Sequence, residues 1–332
     1  MYVSFIIPVY NRPDEIDELL GSLTKFDVKH LFEVIVVEDG SSICCNEIVD
    51  KYREQLNLHY FFKSNSGPGD SRNFGMKKAE GDYFIILDSD CILPKEYLEN
   101  VTKSLELEYV DCFGGPDKSL DSFSDIQKAI NFTMTSFLTT GGIRGGSEKV
   151  GKFQPRSFNM GLSKKAFEAS NGLGNLHPGE DPDLAIRLWK MGYSTKLISE
   201  AYVYHKRRID WHKFYIQVNK FGKARPILNF WHPEYSKITF WFPSLFILGF
   251  AFSILVFLLK SPYLLILFIL YFGMIFVGSL VQNKNGRIAF YSIVATLIQF
   301  YGYGTGFLKS FINIQWLKKK PEEAHPELFF RK

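Results

Sequence analysis

The sequence is poor in cysteine and carries no large excess of charge. Its four cysteines, Cys44, Cys45, Cys91 and Cys112, show no metal-binding spacing, and adjacent Cys44 and Cys45 are badly placed to form a disulfide. We therefore interpret all four as reduced packing residues. The formal net charge is only +4 over 332 residues, which argues against the broad positive field expected of a nucleic-acid-binding protein. We expect no nucleic acid among its partners.

Familiar nucleotide-binding motifs are also missing. The sequence contains neither a P-loop nor the glycine-rich motif G-x-G-x-x-G, so the usual signatures of ATPases and dinucleotide-binding enzymes are absent. Met1 leads almost directly into a strand pattern, which predicts no signal peptide and a cytoplasmic N-terminal domain.

Apolar residues are concentrated toward the end of the chain. Two blocks, 241–259 and 263–281, each approach the roughly 20 apolar residues that a membrane-spanning helix needs. A third block, 288–308, is diluted by glycine, tyrosine and threonine. The alternative, buried core helices of a soluble domain, fits poorly with apolar blocks so closely spaced. A cytoplasmic basic tail at 318–320 requires an even number of crossings, so two and three crossings both stay open.

Strand-like and helical patterns alternate through the first part of the chain. Apolar runs at 3–7, 33–37, 59–62 and 83–87 are separated by helical patterns at 13–23, 47–55 and 71–79, with another helix expected from Pro94. Repeated βα units predict an α/β fold with a mostly parallel sheet covered by helices. Ligands bind beyond the carboxyl ends of such strands. Polar segments therefore converge at one edge of the sheet, namely Pro8, Asp39, the 66–72 loop and 88–90.

The first two strand ends carry candidate nucleotide-binding residues. In "VSFIIPVYNR" (3–12), Pro8 removes an amide donor and is expected to end the strand, while Tyr10 can stack on a base. In "VVEDGSS" (36–42), Asp39 either forms a turn with Gly40 or accepts a hydrogen bond from a base or a ribose hydroxyl. Both interpretations stay open at this point.

Two further segments add charge at the same edge. Arg72, in "NSGPGDSRNFG" (65–75), carries a forked donor that suits a phosphate or can hold an aspartate in place. In "ILDSDC" (86–91), extended geometry would direct Asp88 and Asp90 to the same side, with Ser89 between them. Paired carboxylates repel unless a cation or proton intervenes, and hard cations prefer carboxylate oxygens. A turn is the alternative explanation of this segment.

Two later segments contain further candidate residues. In "HPGEDPDLAIRLWKMGY" (177–193), Asp181 precedes a proline and is expected to cap a helix, which also holds a carboxylate rigidly, and Glu180 can orient an acceptor hydroxyl. In "VYHKRR" (203–208), His205 can bind a metal. The basic residues 206–208 can meet phosphate charge or anionic lipid headgroups.

Together these motifs resemble the family 2 glycosyltransferases, which have the GT-A nucleotide-sugar-binding fold. The matching segments, in family order, are "IIPVYNR", "EDGSS", "GPGDSRNFG", "ILDSD", "FNMGLSKKAF" (158–167) and "GEDPDLAIRLWKMGY". Processive members carry Gln-x-x-Arg-Trp after the catalytic aspartate, but the nearest segment here is "QVNKF" (217–221), so polymer extrusion is not expected.

The resemblance implies roles for individual residues. Asp181 reads as the catalytic base with Glu180 beside it, and Asp90 as the principal ligand of a divalent metal, Mg²⁺ or Mn²⁺. Asp88 is then a ribose or metal neighbour, and His205 a further metal or diphosphate contact. The nucleotide-sugar site as a whole is expected to comprise Pro8, Tyr10, Asp39, Arg72, Asp88 and Ser89.

The resemblance also implies the organisation and activity of the chain. We expect a GT-A domain over 1–225, a basic and aromatic membrane-interface linker over 226–240, transmembrane helices over 241–310 and a basic cytoplasmic tail over 311–332. The expected activity is metal-dependent, inverting transfer of a sugar from a nucleotide donor, a UDP-sugar being favoured. The acceptor is expected to be a membrane-proximal saccharide or a lipid-linked glycan, in cell-surface polysaccharide assembly.

Two other functions stay open on the sequence. A polyprenyl-phosphate sugar synthase would share the same motifs, and a membrane protein that only binds nucleotide sugars would share the site. The expected location in every case is an integral membrane protein with a cytoplasmic catalytic domain, in contact with membrane lipids.

Overall fold

The computed structural model describes residues 1–26, 32–118, 120, 122–140, 152–206 and 210–330. The chain divides into two compact units. Unit 1 comprises Met1–Lys118, Gly146–Lys206 and Phe330–Lys332, and unit 2 comprises Ser119–Gly145 and Arg207–Phe329. Arg207, Arg208 and the glycine-rich segment 141–146 lie outside the described residues.

Unit 1 is built on a sheet of seven strands in the order β3-β2-β1-β4-β8-β6-β9. All of its strands are parallel except β8, which runs antiparallel to both of its neighbours. A small second sheet has the order β5-β10-β7. The strands are β1 (Val3–Val9), β2 (Phe32–Asp39), β3 (Leu58–Lys63), β4 (Tyr83–Leu87), β5 (Cys91–Ile92), β6 (Cys112–Gly114), β7 (Asp117–Lys118), β8 (Asn159–Ser163), β9 (Thr195–Leu197) and β10 (Val203–His205).

The helices are numbered in chain order across both units. They are α1 (Pro13–Leu23), α2 (Asn46–Asp50), α3 (Pro68–Lys78), α4 (Tyr97–Leu107), α5 (Asp125–Thr135), α6 (Phe137–Thr140), α7 (Lys164–Ser170), α8 (Glu180–Lys190), α9 (Trp211–Trp231), α10 (Phe242–Leu258), α11 (Tyr263–Asn283), α12 (Gly286–Phe311) and α13 (Pro321–Ala324). Short 3-10 helices lie at Pro233–Tyr235, Ile238–Trp241 and Pro326–Leu328, and a π-helical turn at Ile312–Trp316.

Burial on both faces explains why the central strands are continuous apolar runs. Phe5 and Ile7 of β1 pack into one hydrophobic cluster, whereas Ile6 between them packs into a second cluster on the opposite face. Side chains alternate along a strand, so a strand covered on both faces needs apolar residues at every position. The predicted α/β fold with a mostly parallel sheet is confirmed.

Two predicted helices differ from the observed ones. The pattern over 47–55 gives only the short helix α2 followed by turns, and the helix expected from Pro94 begins at Tyr97. Residues 94–96 instead form the approach to α4. The predicted helix over 13–23 coincides with α1, whose Pro13 occupies the first turn, where a missing amide donor is harmless.

Unit 2 contains a close contact between two long helices, α9 and α12. A Cβ atom built on Gly302 would lie 2.6 Å from Cγ2 of Val218, and one built on Gly306 would overlap the carbonyl oxygen of Asn219. Glycine therefore allows these two backbones to approach more closely than larger residues would permit. We call this contact the glycine seam.

Two helices among the described residues are long and apolar enough to cross a membrane. They span Ile238–Leu258 and Tyr263–Asn283, and few of their side chains are buried within the chain. The third predicted span, over 288–308, is not among them. It forms part of α12, whose glycines and small polar residues are largely buried.

Candidate active site

The carboxyl ends of the parallel strands carry the predicted site residues. β1 leads to Tyr10, β2 ends at Asp39, and β4 ends just before Asp88. Pro8 does not end β1, as we expected, but lies inside it opposite Val37 of β2. The pairing of β1 with β4 stops at Ile6, so the proline lies where only β2 pairs with the strand. Tyr10 is 53% exposed, as stacking on a ligand requires.

Asp39 is buried and holds the loop that follows β3. Its carboxylate accepts hydrogen bonds from the backbone amides of Ser66 and Gly67, both at 2.9 Å, and from Lys63 Nζ at 2.8 Å. Asn65 Nδ2 donates to its backbone carbonyl at 2.8 Å. Asp39 is only 3% exposed. These contacts make Asp39 the organiser of the loop over 63–67, which it fixes at the edge of the sheet.

Arg72 connects three elements of the site. From α3, its Nη2 donates to Asp88 Oδ1 at 2.6 Å, and its Nη1 donates to Glu180 Oε1 at 3.1 Å. The guanidinium is 3% exposed. Charged hydrogen bonds of this kind are stronger than neutral ones and fix geometry as well. Arg72 thus holds the end of β4 and the start of α8 in a defined relation, which is one of the two roles that the sequence offered.

Glu180 is buried, and its carboxylate is held by three neighbouring groups. Besides Arg72, it contacts Nδ1 of His177 at 2.8 Å and the backbone amide of Gly179 at 2.9 Å. Burial alone would raise its pKa, but the charges of His177 and Arg72 lower the pKa of Glu180 to about 2. These contacts hold the start of α8, and with it Asp181, against α3.

Asp181 lies in the first turn of α8 and does not cap the helix as predicted. The capping position belongs to Gly179, and α8 begins at Glu180. Asp181 Oδ2 is 3.6 Å from Nη1 of Arg156, and its side chain is 16% exposed. Burial raises the pKa of Asp181 above its ordinary value, with Arg156 opposing this rise and Glu180 adding to it. A partly accessible carboxylate with a raised pKa is suited to accept a proton.

Asp88, Ser89 and Asp90 form a turn between β4 and β5, so the extended geometry expected for this segment is wrong. The amide of Cys91 donates to the carbonyl of Asp88 at 3.2 Å, which closes the turn. Ser89 is buried, whereas the Asp88 side chain is 33% exposed. The turn directs the Asp88 carboxylate toward Arg72 and leaves Asp90 to different partners.

Asp90 is the centre of a second cluster. Its Oδ1 lies 3.1 Å from Nε2 of His205, and its Oδ2 pairs with Nη1 of Arg12. The His205 ring stacks on Phe158 with centroids 4.9 Å apart. Although burial opposes it, the charges of His205 and Arg12 hold the pKa of Asp90 well below its usual value.

The donor atoms around Asp90 fit a divalent cation. Asp90, Cys91 and His205 each offer one ligand atom, and these atoms all lie within 4.8 Å of one another. A carboxylate that stays ionised and an imidazole nitrogen are ligands that Mn²⁺ accepts, and Mg²⁺ accepts the carboxylate together with phosphate oxygens. Asp88 lies two residues before Asp90, and its negative charge also stabilises the charged form of Arg12.

Four residues of the site escaped the sequence analysis. Arg12 pairs with Asp90, Lys63 with Asp39, Arg156 with Asp181, and His177 with Glu180. Arg12 and His177 lie within segments that drew attention for other residues, so proximity along the chain was an available signal. Arg156 lies 25 positions before its partner with β8 between them, and nothing local to it marks a site.

Comparison with known protein families identifies the family of this chain. The model for glycosyl transferase family 2 matches residues 4–169, and the model for glycosyl transferase family group 2 matches residues 147–280. The first match alone covers half of the chain and includes the β1, β2 and β4 ends. This chain is a family 2 glycosyltransferase. The family resemblance expected from the motifs is confirmed.

Individual relatives agree with the family. Over 114 residues the glycosyltransferase is 42% identical to poly(ribitol-phosphate) beta-N-acetylglucosaminyltransferase TarS of Staphylococcus aureus (strain Mu50), a segment that is 33% of this chain and only 20% of TarS. Crystal structures of S. aureus TarS 1–349, free and in complex with UDP, share its fold, with TM-scores of 0.53 and 0.50 at 21% and 22% identity. Each comparison covers 96% of this chain and 92% of that chain.

A more distant structure has the same fold. The mannosyltransferase PcManGT from Pyrobaculum calidifontis, in complex with GDP-Man and Mn²⁺, gives a TM-score of 0.58 at 15% identity. The comparison covers 96% of this chain and 88% of that chain. At this identity the likeness concerns the fold, which is the GT-A-like fold expected from the motifs.

Proposed function

We propose that this glycosyltransferase moves a sugar from a UDP-sugar to a hydroxyl group of a membrane-proximal glycan, with inversion at the anomeric carbon. The observation that carries the proposal is the position and environment of the Asp181 carboxylate. Asp181 is a partly accessible carboxylate at the start of α8, and burial raises its pKa. The adjoining Glu180 is anchored to Arg72, which is itself anchored to Asp88 at the end of β4.

The donor is proposed to lie along the carboxyl ends of β1, β2 and β4. Tyr10 is exposed for stacking against the base, and Asp39 fixes the loop over 63–67 beside it. A solved structure of TarS 1–349 contains UDP, and because TarS is the relative that is also similar in sequence, this supports a uridine nucleotide. The ribose and diphosphate would then extend toward Asp88 and Asp90.

Asp181 is proposed to act as the general base. The acceptor oxygen attacks the anomeric carbon, and its proton passes to Asp181 as the new C–O bond forms. The bond from the anomeric carbon to the diphosphate oxygen breaks, and its electron pair leaves with the nucleoside diphosphate. Because an ordinary carboxylate is a weak base with a pKa of about 4, a raised pKa assists this transfer. Attack opposite the leaving group inverts the configuration.

A divalent cation is proposed to be held by Asp90 and His205, with Asp88 beside them. When bound, it would neutralise charge that develops on the departing diphosphate. The protein prepares this position in two ways: the pKa of Asp90 is low enough to keep the carboxylate ionised, and stacking on Phe158 fixes the imidazole plane of His205. The Mn²⁺ in the complex of PcManGT supports such a site.

The acceptor is proposed to be carried near or within a membrane. The two candidate spans would place the enzyme at a bilayer, and confinement to that surface raises the local concentration of a lipid-linked acceptor. The relative TarS is named for poly(ribitol-phosphate), which favours a polymeric acceptor. We propose an integral membrane enzyme with unit 1 in the cytoplasm.

The same two helices favour one second candidate, a polyprenyl-phosphate sugar synthase, whose acceptor is the lipid phosphate itself. A transfer assay with the full chain in detergent separates the two. Radiolabelled UDP-sugars are offered with a lipid-linked glycan or with polyprenyl phosphate, and the labelled products are extracted and identified. Transfer to the glycan supports the first proposal, and transfer to polyprenyl phosphate alone supports the second. Nucleotide release with neither acceptor contradicts both.

A further inference from the structure

Phe330 lies in unit 1, although it is far in sequence from the other residues of the candidate site. Its backbone amide donates to the carbonyl of Asn175 at 3.2 Å. Its ring lies against Gly67, and its centroid is 6.0 Å from that of the His177 ring at an interplanar angle of 51°. A backbone bond and two ring contacts therefore fix this side chain.

Gly67 is shaped to receive this ring. Its φ is 92°, in the region that favours glycine, and a methyl group built on it would overlap the Phe330 ring. The glycine therefore supplies both a backbone conformation and the space that the ring occupies. Any larger residue at position 67 would have to displace Phe330.

The two residues that the ring contacts, Gly67 and His177, each contact a residue of the proposed site in turn. The amide of Gly67 donates to Oδ2 of Asp39 at 2.9 Å, and Asp39 is the residue proposed for the base end. His177 contacts Glu180 at 2.8 Å, immediately before Asp181. The Phe330 ring thus lies between the loop that borders the base and the turn that leads into α8.

We propose that Phe330 is a donor-binding residue that forms an aromatic wall at the base end of the nucleotide-sugar site. The proposal rests on the proposed function, because it takes a nucleotide as the ligand. Phe330 is only partly buried, which leaves room for contact between this residue and a base. Every nucleobase has a flat face that can stack on an aromatic ring, and each stacking contact contributes substantially to the free energy of binding.

The wall also has a consequence for specificity. The ring takes up space beside Gly67 and so limits the size of the base that the loop over 63–67 can accept. A pyrimidine needs less room than a purine. Phe330 is therefore expected to favour uridine nucleotides over guanosine nucleotides, and its removal is expected to narrow that preference.

The test measures UDP and GDP binding by isothermal titration calorimetry, with the full chain in detergent and Mn²⁺ present. Phe330→Ala is expected to raise the dissociation constant for UDP about tenfold. The dissociation constant for GDP is expected to change less. Phe330→Tyr keeps the ring and is expected to stay within about twofold of the unchanged protein. The matched control is Phe329→Ala, whose ring packs 6.1 Å from Trp231 instead, and which should leave both constants unchanged.

Gly67→Ala displaces the ring but also strains the backbone at a φ of 92°, so it is compared with the double variant Gly67→Ala/Phe330→Ala. If the ring carries the effect, the double variant should bind UDP about as weakly as Phe330→Ala, and fully additive losses would contradict this. Thermal unfolding of each variant, followed by circular dichroism, shows whether it is folded. If Phe330→Ala is folded and binds UDP as tightly as the unchanged protein, or more tightly, the proposed wall does not exist.

The two proposals fail in different ways. If the unchanged protein binds UDP and transfers sugar while Phe330→Ala behaves identically, only the role of Phe330 is overturned. If the unchanged protein binds neither UDP nor GDP, the proposed function fails and the role of Phe330 fails with it.

Discussion

Arg72 and Glu180 form a buried ion pair, with Nη1 of the arginine 3.1 Å from Oε1 of the glutamate and both side chains 3% exposed. The second arm of the guanidinium is bound to Asp88 at 2.6 Å. One cation therefore balances two carboxylates that belong to distant parts of the chain. The site depends on this arrangement, since Glu180 adjoins Asp181.

Arg72→Met is expected to destabilise unit 1 by about 3 kcal/mol, the lower end of the cost of breaking a buried ion pair, because the Glu180 carboxylate loses one cation and keeps only His177. Hydrogen–deuterium exchange should accelerate in α3 and α8. The double variant Arg72→Met/Glu180→Gln removes both charges and should recover part of the lost stability. Equal destabilisation by the double and the single variant would contradict the importance of the ion pair.

Asp181→Asn is expected to reduce sugar transfer about 10²–10⁴-fold, because it removes the general base. The same change should leave stability unchanged or raise it. The pKa of Asp181 is raised, so its ionised form costs the folded state free energy at every pH above the ordinary aspartate pKa. Single-turnover transfer and thermal unfolding measure the two effects. Asp14→Asn, an exposed residue in the first turn of α1, is the matched control.

The pH profile of transfer should show an acidic limb governed by Asp181. The base works only when ionised, so kcat/KM rises as pH rises through its pKa, which lies above the ordinary aspartate value. Arg156 lowers this pKa, and Arg156→Gln should therefore move the midpoint of the limb to higher pH. The assignment of the base would be wrong if the midpoint moved to lower pH.

Asp90→Asn is expected to weaken Mn²⁺ binding by at least about tenfold, since it removes the anionic ligand. Electron paramagnetic resonance of Mn²⁺ titrated into the full chain, with UDP present, measures this without any turnover. His205→Ala should weaken binding in the same direction. Removal of metal with EDTA should stop transfer, and added Mn²⁺ should restore it. Unchanged Mn²⁺ binding in Asp90→Asn would place the metal elsewhere.

The glycine seam permits a paired test of helix packing. Gly306→Ala should destabilise unit 2, because its methyl group would overlap the carbonyl oxygen of Asn219 in α9. Gly273→Ala in α11 meets no atom within 4 Å and should be neutral or stabilising by up to about 1 kcal/mol, the helix propensity of alanine over glycine. Thermal unfolding in detergent compares them. Similar effects of both substitutions would argue against close packing of α9 and α12.

The sheet was predictable because its signals are local. Apolar runs such as the one ending at Leu87 mark strands wherever both faces are covered, and polar residues at their ends mark the sheet edge. The reversed strand β8 was not predicted, since its residues Asn159–Ser163 read as strand only through their pairing with β4 and β6. Pairing across such sequence separations leaves no pattern within the segment itself.

The candidate site likewise combines residues that local sequence marks with residues that only the folded chain brings in. Asp39, Arg72, Asp90 and Asp181 could be singled out because each lies in a short segment with recognisable chemistry. Their partners could not, because a contact such as Arg156 with Asp181 arises only when separate elements fold together. The inward orientation of Glu180 was hidden for the same reason: the direction of a side chain in the first turn of a helix depends on which cation meets it.

In the proposed membrane topology, the link between α10 and α11 is short. Only residues 259–262 separate the two helices, and a pair of crossings would return the chain to the side from which it came. Proteases, antibodies or impermeant labels applied to the far side would then find little to react with in this link. With unit 1 in the cytoplasm, as proposed, the glycan products would need a separate transporter to reach the cell surface.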